Sequence, residues 1–209
     1  MTPARGWHLL TAVVTLTALG LQLALVIEGS SVLVDEDPPG LGLRLARFVA
    51  YFTIQSNLLV AVATVLLARD PLRDGPAFRV LRLAGTVGIT VTGLVHFFLL
   101  RPLLDLEGAS WAADKLLHMV VPVLAVVGWF AFGPRPRVDG RAVAVSFAWP
   151  LAWLAVTLAV AGATRWVPYP FLNFRVEGWG HVAVVCVGIT ALFAALIAGF
   201  RYADRRLAP

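Results

Sequence analysis

Cysteine is nearly absent from this sequence. The one cysteine, Cys186, lies inside a long apolar stretch, so the chain can form neither an internal disulfide nor a cluster of thiolate metal ligands. Charge is scarce as well, because charged residues make up 14% of the chain whereas soluble domains usually carry about 25%. These two shortages exclude a disulfide-stapled domain and argue against an ordinary soluble one.

Long apolar runs take the place of the missing charges. Hydrophobic residues make up 59% of the chain and the mean hydropathy is +0.83. A bilayer core about 30 Å thick needs about 20 helical residues, and continuous apolar runs indicate helices, whereas a membrane barrel shows short alternating segments. We therefore predict an all-α transmembrane bundle, a single domain over residues 1–209. About six spans are expected, at 7–27, 48–68, 83–100, 116–132, 142–164 and 179–200.

The distribution of charge predicts the orientation of this bundle. If the N-terminus is cytoplasmic, the cytoplasmic segments hold 11 arginines and 4 acids, whereas the opposite segments hold 6 bases and 8 acids, including Asp35, Glu36 and Asp37. Basic loops stay in the cytoplasm, so we expect a cell-membrane protein with both termini cytoplasmic. The net charge of +5 then reflects topology, and no nucleic-acid partner is expected.

Polar residues within the spans concentrate in the predicted outer leaflet. Thr53 and Asn57 lie one helical turn apart on span two, and Asp114 and His118 lie one turn apart on span four. A carboxylate at this spacing could hold the imidazole in one tautomer. The inner halves of the spans contain almost only Ala, Val, Leu, Gly and scattered Thr. Because polar groups are unfavourable in a bilayer unless they are paired, this asymmetry points to a site.

Structural interpretations of the same residues stay open. Thr53 could bond the carbonyl four residues before it, as threonines in membrane helices do. Asn57 and Gln55 could join helices. His96 could serve packing or support a partner, and His181, at the predicted interface, fits an anchoring role.

Three motifs carry a resemblance to a known family. They are the run Tyr51–Asn57, the grouping of Trp111 with His118 and Pro122, and the run Tyr169–Asn173. Together they resemble the bacterial six-helix Pr-six-Pr family, over nearly the whole chain at the level of topology. That family is similar to the eukaryotic androgen-induced membrane proteins, which hydrolyse branched fatty-acid esters of hydroxy fatty acids. The resemblance implies Thr53 as a nucleophile and His118 as its partner.

The chemistry of such a site is coherent. A threonine hydroxyl is a poor nucleophile without a nearby base. His118 could supply that base and Asp114 could orient it, as in a triad recognised by geometry, whereas Asn57 or Gln55 could donate to a developing oxyanion. Spans two and four are then expected to touch, with Thr53 and His118 facing one cavity.

The substrate is expected to be a membrane lipid or a lipid-like small molecule. Gln55, His96, Tyr169 and Asn173 are the predicted binding residues. The loop 166–173 contains two prolines that restrict it, and we expect it to fold over the mouth of the cavity. Neither a metal ion nor another cofactor is expected.

Other classes of function stay open. A non-catalytic lipid-binding, sensory or assembly protein could use the same polar cluster as a ligand pocket. A metal or haem site could use His96, His118 and His181, although Val185 occupies the position where a paired-histidine helix motif would need a second histidine. Transport is disfavoured because no repeat relates the two halves. The sequence leaves the oligomeric state open.

Overall fold

The computed structural model describes residues 1–29 and 39–207. The acidic run Asp35–Glu36–Asp37 lies outside the described residues. Within them the chain forms helices and no strand. The helices are α1 (Pro3–Glu28), α2 (Leu41–Ala50), α3 (Phe52–Arg69), α4 (Pro76–Val95), α5 (Gly108–Lys115), α6 (Val121–Phe132), α7 (Gly140–Thr164) and α8 (Gly178–Arg206). Two π-helical segments (His96–Leu100 and Leu116–Val120) and two 3-10 turns (Arg101–Leu103 and Pro170–Leu172) connect them.

Six continuous helical stretches are long and apolar enough to cross a membrane, which confirms that part of the prediction. They are Pro3–Glu28, Phe52–Arg69, Pro76–Leu103, Gly108–Phe132, Gly140–Thr164 and Gly178–Arg206. Most are longer than the predicted spans, because hydropathy detects only the apolar part of a helix. The predicted start of span two at 48 is wrong. The helix is interrupted at Tyr51, which is extended, and residues 41–50 form the separate helix α2.

Helix α4 lies at the centre of the bundle. It packs against α3, α6, α7 and α8, whereas α1 packs mainly on α3. Small residues allow this close approach: a Cβ added at Gly85 would lie 3.2 Å from the backbone of Leu59. Helix α7 rests on α4 and touches α8 only lightly.

The bundle has two ends that differ in their polar groups. Arg5 donates to the carbonyl oxygens of Ala68 and Arg69, and Arg135 donates to that of Leu207. The two chain termini therefore meet at one end, which we call the termini end. The opposite end holds the start of α3, the two π-helical segments and the 166–173 loop, and we call it the site end.

The termini end contains buried charge, which corrects the expectation that only the other half of the bundle has a polar cluster. Arg82 and Asp204, expected in cytoplasmic loops, lie within α4 and α8 and are 6% and 1% exposed. Asp204 accepts hydrogen bonds from the backbone nitrogens of Arg137 and Val138, both at 2.8 Å. Arg82 donates to backbone carbonyls of the same 133–138 loop. The helices extend beyond their apolar windows, and the loop folds over their ends.

Candidate active site

Thr53 lies in the first turn of α3, just after the extended residue that separates α3 from α2. Tyr51 is extended (φ −65°, ψ 128°) and the helix begins at Phe52. The first backbone N–H groups of a helix have no partner within it, and the Tyr51 side chain caps none of them. The Thr53 N–H donates instead to the hydroxyl of Tyr169, at 3.2 Å. Thr53 therefore stands at the positive end of the helix dipole.

The Thr53 side chain contacts two other functional groups. Its Oγ1 lies 3.3 Å from His118 Nε2 and 3.2 Å from the Tyr169 hydroxyl. The first distance confirms that the two predicted spans touch with Thr53 facing His118. The second shows that the 166–173 loop contacts this site, because Tyr169 belongs to that loop.

His118 lies in the π-helical segment Leu116–Val120. Pro122 has no N–H to give the carbonyl four residues before it, which is that of His118, and the Val121 N–H bonds the carbonyl of Leu116, five residues back. His96 begins a second π-helical segment, at the end of α4. Such widened turns recur at functional sites. The sequence indicates a freed carbonyl through Pro122 but does not indicate the π-helical turns.

Gly93 allows α4 to approach this segment closely. A Cβ at position 93 would lie 3.1 Å from the backbone oxygen of His118 and 3.3 Å from the Pro122 ring. A larger residue would therefore push the His118 segment away from α4. The glycine positions the imidazole without touching it.

The surroundings of His118 fix its tautomer. Its Nδ1 lies 3.0 Å from the backbone carbonyl oxygen of Asp114 and 3.0 Å from Oδ1 of the same residue. Both atoms are acceptors, so Nδ1 carries the proton. The lone pair of Nε2 then faces the hydroxyl of Thr53, as a general base requires.

Asp114 is buried among three basic side chains. Its Oδ1 lies 2.8 Å from His96 Nε2, and its Oδ2 lies 2.9 Å from Lys115 Nζ. The His96 ring stacks on the His118 ring, with centroids 4.1 Å apart and planes inclined by 11°. Lys115 balances the carboxylate charge, and His96 supports the face of the His118 ring.

His96, Asp114 and His118 form a possible metal-binding group, because their ligand atoms all lie within 4.8 Å of one another. This set differs from the alternative metal trio that included His181, because His181 is exposed at the start of α8. Imidazole coordinates a metal in the plane of its ring, and one ion cannot lie in the planes of two parallel stacked rings. One ring would have to turn before both could share an ion.

A cavity of about 380 Å³ adjoins the site. Thr53, His118 and Asp114 line it, together with three predicted binding residues, His96, Tyr169 and Asn173, and three arginines, Arg44, Arg47 and Arg165. The described residues thus bring the Thr53 hydroxyl, the His118 imidazole and three arginine side chains to one cavity.

Asn57 and Gln55 do not have the expected oxyanion geometry. The Asn57 amide donates to the carbonyls of Thr53 (2.8 Å) and Leu117 (3.4 Å), which joins α3 to the His118 segment. The Gln55 amide donates to the carbonyl of Val49, and its oxygen accepts from the Trp149 indole. Neither residue lines the 380 Å³ cavity. The helical spacing placed Asn57 on the correct face of α3 but one turn too deep.

Tyr169 takes the position that the amides were expected to occupy. Its side chain is buried, and burial raises the pKa of the hydroxyl to about 12, so the group stays protonated at physiological pH. Because its oxygen accepts from the Thr53 N–H, its own proton is available to donate. The sequence indicates a binding role for Tyr169 but not this contact with Thr53, which joins residues 116 positions apart.

Comparison with known proteins identifies no relative: no family model, no curated protein and no solved structure matches the chain. The resemblance to the Pr-six-Pr family therefore stays a prediction.

Proposed function

We propose that this protein is a membrane-embedded hydrolase of lipid esters, with Thr53 as nucleophile and His118 as general base. One observation carries the proposal: Thr53 Oγ1 lies 3.3 Å from His118 Nε2, whose lone pair is free because Nδ1 faces two acceptors. The other contacts of the cluster support the same roles. The resemblance to the androgen-induced proteins points to the same two residues.

The reaction proceeds in two steps. Thr53 Oγ1 attacks the ester carbonyl carbon while His118 Nε2 takes the hydroxyl proton. The tetrahedral intermediate collapses, the carbon–alkoxide bond breaks, and His118 returns the proton to the leaving alcohol. Water, deprotonated by His118, then attacks the carbonyl carbon of the acyl-threonine. The bond from that carbon to Thr53 Oγ1 breaks, His118 returns the proton to Oγ1, and the carboxylic acid leaves. The proton on His118 Nδ1 stays there throughout, facing acceptor atoms of Asp114, and the Asp114 carboxylate stabilises the transient imidazolium.

The oxyanion is stabilised at the start of α3. The donors are the Thr53 N–H and the Tyr169 hydroxyl, which lie 3.2 Å apart in the unliganded site. The carbonyl oxygen displaces this contact and accepts from both groups. Fixed donors of this kind, in a site without bulk water, usually make the largest electrostatic contribution to acyl transfer.

The proposed orientation has six spans in the cell membrane with both termini cytoplasmic. The site end then lies in the outer leaflet, near the depth of lipid ester carbonyls. Reporter fusions after residue 207 and within the 104–107 connection test this orientation. An extracytoplasmic C-terminus would overturn it and would move the site to the inner leaflet.

The decisive experiment labels membranes with a fluorophosphonate probe for ester hydrolases and measures turnover of a lipid-ester panel by the purified protein. We expect labelling and turnover with wild type and none with Thr53→Ala. Thr64→Ala is the matched control, because Thr64 lies on the same helix with the same 7% exposure but only bonds its own helix backbone. Equal labelling of wild type and Thr53→Ala would refute Thr53 as the nucleophile.

A second candidate is a metal-dependent hydrolase, favoured by the clustering of His96, Asp114 and His118. Turnover that survives Thr53→Ala and is lost with a chelator would favour it. Absence of turnover across the lipid panel would favour a non-catalytic lipid-binding protein with the same cavity.

A further inference from the structure

A second cavity, of about 80 Å³, lies beside the first and shares the side chain of Thr53 as part of its wall. It lies between α3, α4, α7 and α8, and Thr53 and Tyr169 line both cavities. Its other walls are mainly aromatic and aliphatic, with Phe147, Leu151 and Phe193 among them. No charged side chain from the described part of the chain lines it, in contrast to the arginines and Asp114 of the larger cavity.

The wall of this apolar pocket formed by α7 and α8 includes a side chain that is exposed on the outer surface of the bundle. Leu151 lines the pocket and is also 42% exposed. Pro150, beside it, breaks the regular hydrogen bonding of α7, and α7 touches α8 only lightly. A chain that entered from the bilayer on this side would reach Thr53 without passing through the basic cavity.

We propose that the apolar pocket binds the first few carbons of the acyl chain of the ester, with the carbonyl presented to Thr53 and the alcohol portion in the larger, basic cavity. The inference rests on the proposed function and adds which cavity holds each part of the ester and the side from which the acyl chain enters, sideways from the bilayer. The acyl part and the alcohol part of the substrate, which meet at the carbonyl carbon, then lie in different cavities. Apolar walls suit a hydrocarbon chain, and the other two threonines of the pocket already have partners: Thr92 donates to the Ser56 hydroxyl and Thr190 to the Cys186 carbonyl.

Cys186 provides a test that does not depend on catalysis. It is the only cysteine of the chain and lines the apolar pocket. Purified protein in lipid nanodiscs is treated with N-phenylmaleimide with and without palmitic acid, the type of product that the hydrolase would release. We expect palmitic acid to slow alkylation of Cys186 in wild type and in Thr53→Ala alike.

The matched control is Val187→Cys in a Cys186→Ala background. Val187 follows Cys186 on α8 but is 69% exposed and does not line the pocket. Its alkylation should not change with palmitic acid. Equal rates at Cys186 with and without palmitic acid, or equal protection at both positions, would overturn the acyl-chain pocket.

The second measurement is chain-length preference. If the pocket holds the chain, kcat/KM of wild type should rise by about fourfold for each CH₂ that enters it. Ile189→Trp, which fills the pocket, should move the preference to shorter chains, whereas Val187→Trp on the outer face should leave it unchanged. An unchanged preference in a folded, active Ile189→Trp variant would overturn the proposal.

The two experiments separate the two proposals. If wild type hydrolyses no ester, the hydrolase proposal fails, and Cys186 protection alone decides whether the pocket binds an acyl chain. If wild type hydrolyses esters but Cys186 is not protected, the hydrolase proposal stands and the pocket assignment fails.

Discussion

The two ends of the bundle both bury charged side chains, but these side chains have different kinds of partner. At the termini end, Asp204 and Arg82 bond to backbone groups of the 133–138 loop. At the site end, the Asp114 carboxylate lies against the imidazoles of His96 and His118. His118 in turn contacts the hydroxyl of Thr53, which lines a cavity. A backbone group cannot change its protonation state, whereas an imidazole can. The comparison teaches that the partners of a buried charge, more than its burial, separate structural clusters from chemical ones.

Substitutions should therefore have opposite effects at the two ends. Changes at the site end should reduce turnover more than stability, and changes at the termini end should reduce stability more than turnover. Four predictions test this separation, from the largest expected effect to the smallest.

Loss of either reacting group should nearly abolish turnover. Thr53→Ala and His118→Ala should each reduce kcat by about 10⁴-fold or more, because neither group works without the other. The double variant should be no slower than either single variant, and thermal unfolding should shift little. If the reduction in kcat of the double variant equalled the product of the two single reductions, Thr53 and His118 would not act as one nucleophile–base unit.

Loss of the buried carboxylate at the termini end should destabilise the protein. Asp204→Ala leaves the N–H groups of Arg137 and Val138 without their acceptor and should lower the free energy of unfolding by about 3 kcal/mol. Unfolding in detergent measures this change. Asp204→Asn keeps an acceptor oxygen and should lose less. Turnover per folded molecule should stay at the wild-type level; a large fall in kcat would show that the two ends are coupled.

Closer packing behind the site should reduce catalysis moderately. Gly93→Ala pushes the His118 segment by a few tenths of an ångström and should lower kcat by about tenfold, because small displacements of catalytic groups reduce rates steeply. Gly162→Ala is the matched control, since nothing lies within 4 Å of a Cβ there. Equal turnover of the two variants would show that Gly93 does not position His118.

Acid should weaken the surface ion pairs of the termini end only slightly. The Arg79 guanidinium, 2.7 Å away, holds the pKa of Asp74 well below its usual value. A lowered folded-state pKa means that the pair stabilises the protein above about pH 4 and that this contribution disappears as pH falls further. Asp74→Asn should therefore flatten the dependence of Tm on pH below 4, with an effect that salt reduces. An unchanged pH profile in that variant would show that the pair contributes nothing.

Particular residues show how far the sequence could predict the site. Thr53 and His118 could be found because a polar group in an apolar span is conspicuous, and Asp114 could be paired with His118 through helical spacing. Tyr169 could not be joined to Thr53, because its loop lies outside every periodic segment. Asn57 was misassigned because helical spacing gives the face of a helix but not what packs on it. Arg82 and Asp204 were misassigned because hydropathy cannot show where a loop folds back.

The sequence by itself determined the helical spanning segments, because about 20 apolar residues form a helix in a bilayer whatever their neighbours. It also determined the residue types available for chemistry and their helical faces, since these depend only on local periodicity. Only the tertiary structure decided that Tyr169 contacts Thr53, that π-helical turns carry both histidines, and that Thr53 and Tyr169 line both an apolar pocket and a basic cavity. These features arise from contacts between residues distant in the chain, which no local pattern encodes.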